Sequence, residues 1–193
     1  MDIMQAIKER RSVRRYRPDP VPEEILNAVL EAARWAPSWA NTQCVRYVVV
    51  KDPDTKAKLA EALLWHNPAG NPATEAVRSA PVVIVACAET GKSGFYKGEA
   101  RTDKGDCFMF DVGIAMENLA LAAHSLGLGT VHVAYIDAKK MEKILQVPEG
   151  VRIVELTPLG YPDGPVKGPG RKELSEIVFY EKYGQTSPIN PMK

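Results

Sequence analysis

The densest group of chemically capable residues is an arginine cluster near the N-terminus. Five arginines fall within eight residues: Arg10, Arg11, Arg14, Arg15 and Arg17. The planar guanidinium fork matches phosphate oxygens in a bidentate manner that a lysine ammonium cannot copy. In an extended segment Ser12 and Arg14 point to one side, and Arg10 can join them. The cluster indicates an anion site, although a solvated basic face and a nucleic-acid-binding arm stay open as alternatives at this point.

A second group with anion-binding potential lies near the C-terminus, in the segment 167–172 (K-G-P-G-R-K). Its glycines allow the backbone to approach a ligand closely, and Arg171 adds a guanidinium. Residues from the two ends of the chain can converge on one phosphate. Neither group is specific when taken alone.

The third group is the loop 36–43 (A-P-S-W-A-N-T-Q), which carries hydroxyl, carboxamide and indole groups. Ser38, Asn41 and Gln43 can hydrogen-bond the carbonyl and N–H edge of a heterocycle, and Trp39 can stack on it. An ordinary helix-to-strand loop with an asparagine turn fits the same residues.

Several other kinds of site are disfavoured by spacing. The histidines are His66, His124 and His132, and the cysteines are Cys44, Cys87 and Cys107. None of them stands at metal-ligand spacing, so we expect no metal site, unrelated histidines and reduced thiols. The sequence G-L-G at 127–129 follows a helix, the reverse of the dinucleotide fingerprint, and indicates a helix C-cap and a tight turn.

Length and composition limit the function further. The chain has 193 residues, and its 25 Lys+Arg and 24 Asp+Glu give a formal net charge of +1. A chain without a basic excess is not typical of non-specific nucleic-acid or membrane binders. The N-terminus lacks a signal-peptide pattern, and no apolar run approaches the roughly 20 residues of a membrane helix. These features predict one soluble, cytoplasmic domain over 1–193 with no nucleic-acid and no membrane partner.

The elements that position these groups follow from hydrophobic periodicity and from capping residues. We expect helices over 2–11, from 22 to about 36, over 52–64, 108–126 and 137–145. We expect strands over 45–50, 81–86, 130–135 and 151–159. The apolar run 81–86 predicts a central strand buried on both faces. Helix 108–126 is apolar nearly all round, which indicates a central helix or a dimer interface.

The remaining segments connect or flank these elements. Residues 89–106 hold glycines and charges and are interpreted as a surface excursion or lid, 174–180 as a strand or a helix, and 185–193 as a tail. The alternation of helices and strands predicts an α+β domain, with a mixed sheet flanked by helices.

Four motifs in this order resemble the nitroreductase family. They are R-R-S-V-R-x-[YF], then A-P-S-x-x-N-x-Q before a strand, then a buried helix closing with G-L-G-T, then R-K-x-L-x-E-[IV]-V after a late strand and a Gly/Pro loop. The resemblance extends from Ile3 to Gly184. It implies a short, FMN-dependent, homodimeric flavoenzyme with a nitroreductase-like fold, in which a mainly antiparallel sheet is flanked by helices and a long buried helix lies at the dimer interface.

The resemblance also implies roles for individual residues. The segment that holds the FMN phosphate, the ribityl chain and the pyrimidine edge corresponds to Arg10, Ser12 and Arg14, with a further flavin contact from Arg11 and a phosphate contact from Arg171. A loop contributed by the other subunit corresponds to Pro37, Ser38, Trp39, Asn41 and Gln43. The backbone that approaches flavin N5 corresponds to Val133, Ala134 and Tyr135. A pyrimidine-contacting asparagine corresponds loosely to Asn71.

Three departures from the family pattern bear on these roles. Ala134 stands where many members have glycine, so that backbone approach is tighter. Trp39 is bulkier than the usual serine or alanine and narrows the substrate pocket. The sequence C-V-R at 44–46 replaces the more familiar Pro-Trp at the end of the loop.

The implied reaction transfers hydride from NADH or NADPH through flavin N5 to a small organic acceptor, such as a nitroaromatic or a quinone, by a ping-pong mechanism. The cofactor carries this chemistry, so no catalytic side chain is predicted, and Arg14 is expected to tune the flavin. Three alternatives stay open. The same fold can serve reductive dehalogenation, flavin reduction or flavin destruction; the protein can bind FMN without catalysis; or the arginine arm can bind nucleic acid.

Overall fold

The computed structural model describes residues 1–65 and 70–186. The helices are α1 (Ile3–Glu9), α2 (Glu23–Arg34), α3 (Pro53–Ala60), α4 (Thr74–Ser79), α5 (Phe108–Ser125), α6 (Ala138–Ile144) and α7 (Leu174–Ile177). The strands are β1 (Val45–Val50), β2 (Val82–Glu89), β3 (Phe95–Tyr96), β4 (Glu99–Ala100), β5 (Gly129–Thr130) and β6 (Val151–Gly160). The predictions about His66 and about the tail from residue 187 lie outside the described residues.

The centre of the fold is a four-stranded sheet with the strand order β1-β2-β6-β5, in which every pair of strands is antiparallel. Ser12 forms one parallel bridge with Thr130, and this bridge makes the sheet mixed. In β2 the neighbours Ile84 and Val85 point to opposite faces, and both are fully buried. A continuous apolar run suits a strand that is covered on both sides, so the prediction for 81–86 is confirmed.

Helices cover both faces of the sheet. On one face α2 and α5 pack with β2 around Val29, Met116 and Leu119. On the other face the core contains Leu59 of α3, Val77 of α4 and Met141 of α6. The α+β class with a sheet between helical layers is therefore confirmed.

The longest helix, α5, extends from Phe108 to Ser125 and lies close to its predicted bounds. Val112, Met116 and Leu119 are buried on its inner side, whereas Phe110 on the outer side is 72% exposed. Two residues after the last helical residue, Gly127 has a φ of +79° and donates its N–H to the carbonyl of His124. This left-handed glycine confirms the C-cap interpretation of G-L-G.

Two predicted elements differ from the structure. The strand expected over 130–135 is limited to Gly129–Thr130 with a single bridge from Val133 to Leu156, because the Val131 N–H donates to the Thr157 hydroxyl and leaves the strand ladder. The helix expected over 52–64 ends at Ala60, because the chain turns there and the Leu64 N–H donates to the carbonyl of Tyr135. Helix α4 was not predicted from the sequence.

Two segments project from the packed layers. In 89–106, β3 and β4 form a short hairpin, and at its base the Gly91 N–H donates to Asp106 at 2.6 Å. The segment from 163 to 177 is exposed throughout and contains α7, so the helical alternative for 174–180 is confirmed for four residues. Over the described ranges, no helix has both the length and the apolar character required to cross a membrane.

Candidate functional site

The N-terminal arginine segment is fixed to the sheet by its backbone and its apolar side chains. The Val13 N–H donates to the Thr130 carbonyl at 2.8 Å, and Val13 is buried against Gly129, where a Cβ would collide with it. The Tyr16 hydroxyl donates to the Val13 carbonyl, and burial raises the pKa of this phenol. Because side chains alternate along an extended segment, this anchoring directs Arg14 outward, and Arg14 is exposed.

Arg10 lies at a small cavity of about 210 Å³ between the arginine segment, the end of α5 and the loop after β6. The cavity is lined by Arg10, Arg11, Val13, His124, Thr130 and Val166, among others. Within the described part of the chain, the buried Nε and Nη1 atoms of Arg10 and Nε2 of His124 have no hydrogen-bond partner. Buried donors of this kind need an acceptor, and a phosphate oxygen suits a guanidinium best.

The C-terminal group reaches this cavity only in part. Gly168 lies against the Arg11 side chain, and a Cβ at position 168 would collide with the Arg11 Cδ. Arg11 itself donates to the carbonyls of Lys8 and Arg10. Arg171 is exposed, and among the described residues it donates only within its own loop, to the carbonyls of Pro169 and Gly170. In one chain the structure brings the glycine loop to the arginine cluster but leaves Arg171 outside.

A charge network that the sequence did not predict connects Arg10 to the segment 133–135. The Arg10 Nε lies 3.4 Å from Glu117 Oε1, and the other oxygen of Glu117 lies 3.5 Å from His132 Nε2. His132 Nδ1 lies 2.8 Å from Glu155 Oε2. Hydrogen bonds to Glu117 and Glu155 raise the pKa of His132 to about 9. Two of these groups come from α5 and β6, so only the folded chain brings them together.

Asn71 is connected to the segment 133–135 through Leu64. Both backbone groups of Val133 bond Leu156, and the residues that the structure describes offer no hydrogen-bond acceptor to the Ala134 N–H. The Asn71 amide donates to the carbonyl of Leu64 at 3.0 Å, and the N–H of Leu64 bonds Tyr135. Asn71 is thus near the predicted segment, although its Oδ1 already accepts from the Ala73 N–H.

The loop 36–43 has a strained backbone that buried partners hold in place. Ala40, Asn41 and Gln43 have φ values of 45°, 54° and 48°, which cost roughly 1 kcal/mol or more each outside glycine. The Gln43 N–H donates to the Ser38 hydroxyl at 2.9 Å. Strain that the surroundings maintain in this way is typical of binding loops.

Asp111 of α5, which the sequence reasoning missed, anchors both ends of this loop. Its Oδ1 accepts from the Trp39 N–H at 3.1 Å, and its Oδ2 accepts from the Cys44 thiol at 3.4 Å. Asp111 is 1% exposed. Burial and this carboxylate raise the pKa of Cys44 to about 11, so the thiol stays protonated and donates. The sequence offered one indication of this role: Asp111 is the single acidic residue in the apolar stretch 108–116 (F-M-F-D-V-G-I-A-M).

The loop and the arginine segment lie at opposite ends of α5. Asp111 holds the loop, whereas His124 lines the cavity at Arg10, and 13 residues of helix separate them by roughly 20 Å. The site residues of one chain therefore form two separate halves. One half contains the arginines and the segment 133–135, and the other contains residues 37–43.

A larger and mainly apolar cavity of about 750 Å³ adjoins the loop half. Trp39, Met109 and Phe110 line it, and Lys104 and Asp106 come from the excursion 89–106. Its size suits a small aromatic molecule. Across 1–65 and 70–186, no cluster of three His, Cys, Asp or Glu side chains has the arrangement needed to hold a metal ion.

Comparison with known proteins identifies the family and the fold. A sequence model described as the Nitroreductase family matches residues 7–161. An NADH dehydrogenase of Thermus thermophilus is 33% identical over 205 residues, which cover 93% of this chain and 96% of the relative. An iodotyrosine deiodinase of Thermotoga neapolitana is 28% identical, with 91% and 96% covered. The solved structure of an FMN-dependent nitroreductase of Clostridium difficile matches over 93% of this chain and 99% of its own, with a TM-score of 0.75 and 25% identity.

Proposed function

The chain belongs to the nitroreductase family, and we propose that it transfers hydride from NADH or NADPH through FMN to a small organic acceptor by a ping-pong mechanism. It is an FMN-dependent oxidoreductase, in line with relatives named an FMN reductase, an NADPH-flavin oxidoreductase and an FMN-dependent nitroreductase. FMN, when bound, supplies the chemistry, since its N5 accepts and donates hydride. The protein's part is to bind the cofactor, to orient it and to admit the two substrates in turn.

The observation that carries the proposal is the buried Arg10 Nη1 atom, which has no hydrogen-bond partner among the described residues, while the Arg10 Nε atom has its ion pair with Glu117 at 3.4 Å. Arg10 and Arg11 offer guanidinium groups at a cavity that can take a phosphate, and Ser12 follows in the same segment. The donor set therefore fits the phosphate end of FMN. We assign the ring end to the segment Val133–Ala134–Tyr135, where the Ala134 N–H can donate to the ring edge, with Asn71 beside it. Arg14 is assigned to the pyrimidine edge, where a cation stabilises negative charge.

We further propose that the protein is a homodimer with FMN at the subunit interface. The two halves of the site stand roughly 20 Å apart in one chain, which favours completion of each site by Pro37, Ser38, Trp39, Asn41 and Gln43 of a partner. Apolar side chains that a partner would cover support this arrangement: Met109 and Phe110 on α5, and Leu174, Ile177 and Tyr183 after β6, are all more than half exposed. Arg171 belongs to this exposed C-terminal segment.

The acceptor is proposed to bind in the apolar cavity beside Trp39 and Phe110, with the segment 89–106 as a lid over it. Nitroaromatics and quinones suit such a cavity because they are flat and largely apolar. Reductive dehalogenation of an aromatic substrate is a second candidate, because the Thermotoga relative is an iodotyrosine deiodinase. We place the enzyme in the cytoplasm, since its three cysteines are all free thiols.

The visible spectrum of the purified protein tests the proposal. Flavin absorption bands that bleach on anaerobic addition of NADH or NADPH are expected, and Arg17→Ala, an exposed arginine paired with Asp19, is the matched control for Arg10→Ala. Arg10→Ala is expected to lose the flavin bands, whereas the control keeps them. Bands that persist with both donors would favour a binding protein, and a colourless protein that takes up no FMN would overturn the proposal.

A further inference from the structure

The His132 network is the arrangement that the proposed function does not use. Its four charged groups are contributed by four parts of the fold: Arg10 after α1, Glu117 of α5, His132 after β5 and Glu155 of β6. Glu117 stands in the middle, with one oxygen toward Arg10 and the other toward His132. The carboxylate is thus shared between two cations.

The geometry requires His132 to carry both ring protons. Each ring nitrogen faces a carboxylate oxygen, Nδ1 at 2.8 Å and Nε2 at 3.5 Å, so each must bear hydrogen to avoid repulsion. Glu155 is buried, and a buried carboxylate needs a cation or donors. The imidazolium form satisfies both acids at once.

The charge balance then decides what Arg10 can do. With His132 protonated, two cations and two carboxylates sum to zero, and Glu117 divides its charge between His132 and Arg10. Without that proton the network carries one net negative charge beside the cavity, and Glu117 pairs with Arg10 alone. Both effects oppose the binding of an anion at Arg10.

We propose that His132 is a positioning residue for the cofactor phosphate, which acts through Glu117 to keep the Arg10 guanidinium available to that phosphate. The proposal rests on the proposed function, because it takes Arg10 as the phosphate-binding residue. It assigns His132 a role in cofactor affinity and none in the transfer of hydride. Binding and protonation are linked, so bound phosphate in turn favours the protonated imidazole.

Equilibrium binding of FMN and of riboflavin to the cofactor-depleted protein tests this role. Riboflavin lacks the phosphate. The affinity for FMN divided by the affinity for riboflavin therefore isolates the contribution of the phosphate and cancels any general damage to the pocket. His132→Gln is expected to lower this ratio about tenfold, in the range of an ordinary coupling between sites. His132→Lys restores a positive charge and is expected to recover most of the ratio. Arg152→Gln is the matched control, because Arg152 lies on β6, the strand of Glu155, and pairs with Glu142 of α6. It is expected to leave the ratio unchanged.

The pH profile separates this role from a merely structural one. Contacts with Glu117 and Glu155 raise the pKa of His132 to about 9, so the native protein is expected to lose FMN preference as the pH rises from 7.5 through 9. The groups that face His132 are Glu117 of α5 and Glu155 of β6, and Arg10 faces Glu117. His132→Gln is expected to show no such midpoint, because the titrating group is gone. Ionisation of the ligands does not produce this midpoint. The FMN phosphate is already a dianion over this pH range, and ionisation of the flavin ring is common to FMN and riboflavin and cancels in the ratio.

The outcomes distinguish the two proposals. If Arg10→Ala leaves the FMN-to-riboflavin ratio unchanged, the phosphate site of the proposed function is wrong. If Arg10→Ala abolishes the preference but His132→Gln keeps both the ratio and the pH midpoint, only the His132 role is overturned. A fall in the ratio with His132→Gln that His132→Lys does not recover would also overturn it, since charge would not be the cause.

Discussion

At the scale of single residues, we propose that Arg14 is the side chain that tunes the cofactor. Val13 and Tyr16 are anchored by hydrogen bonds, and Arg14 between them is exposed. Arg14→Ala is expected to lower the two-electron potential of bound FMN by about 20 mV and to weaken FMN retention, because an exposed charge contributes about 1 kcal/mol. Redox titration against reference dyes measures the shift.

Arg15→Ala is the matched control for this prediction, because Arg15 is an exposed neighbour whose side chain lies on the other side of the segment. It is expected to leave the potential unchanged. An unchanged potential and full FMN occupancy in Arg14→Ala would remove Arg14 from the tuning role.

Single residues also show where sequence reasoning reached its limit. The type and spacing of Arg10, Ser12 and Ser38 were sufficient to select them, because guanidinium and hydroxyl groups in loops point to anion and heterocycle binding. His132 was interpreted as one of three unrelated histidines. Its two carboxylate partners lie 15 and 23 residues away, and their meeting depends on how α5 and β6 pack, which no local pattern encodes.

At the scale of elements, the contact between α5 and the loop 36–43 decides the loop's shape. Asp111→Ala leaves the Trp39 N–H and the Cys44 thiol without their acceptor and removes the restraint on three left-handed residues. We expect a loss of about 3 kcal/mol in the free energy of unfolding, in line with buried hydrogen bonds to a charged group. Urea denaturation measures the loss, and FMN retention is expected to fall with it.

The control for Asp111→Ala is Asp103→Ala, since Asp103 is exposed and pairs only with its neighbour Lys104 among the described residues. It is expected to change stability by less than about 0.5 kcal/mol. Native stability and full FMN content in Asp111→Ala would show that the loop holds its conformation without the carboxylate.

Elements with strong local signals were predicted well, and those that depend on tertiary contacts were not. The helices predicted to begin at 2, 52 and 137 begin one residue later, and Asp2, Asp52 and Asp137 each accept the N-terminal hydrogen bond of their helix. The β-branched stretch after Thr130 looks like a strand, yet the side chain of Thr157 takes a hydrogen bond from its backbone. Helix α4 has only six residues and no side-chain cap, so its sequence carried little signal.

At the scale of the whole molecule, the separation of the two half-sites along α5 is the main consequence of the fold. A single chain presents the arginines and the segment 133–135 at one end, and the strained loop at the other. Two chains related by a twofold axis can bring the first half of each to the second half of the other, which gives two equivalent sites. The exposed apolar residues of α5 and of the C-terminal segment then have a common explanation.

Heterodimers assembled from differently tagged chains test this arrangement directly. When one chain carries Arg10→Ala and the other Asp111→Ala, one interface site receives both defects and the other is intact, so about one FMN per heterodimer is expected. When both substitutions lie on one chain and its partner is native, each site receives one defect, and little FMN is expected. Sites contained within single chains would give the reverse result, with FMN only in the second heterodimer.

Failure to isolate any heterodimer from a flavin-loaded protein would contradict the dimer itself. The two heterodimers contain the same substitutions in total. The difference in their FMN content therefore shows whether each site is built from two chains, and it is independent of general damage to the fold.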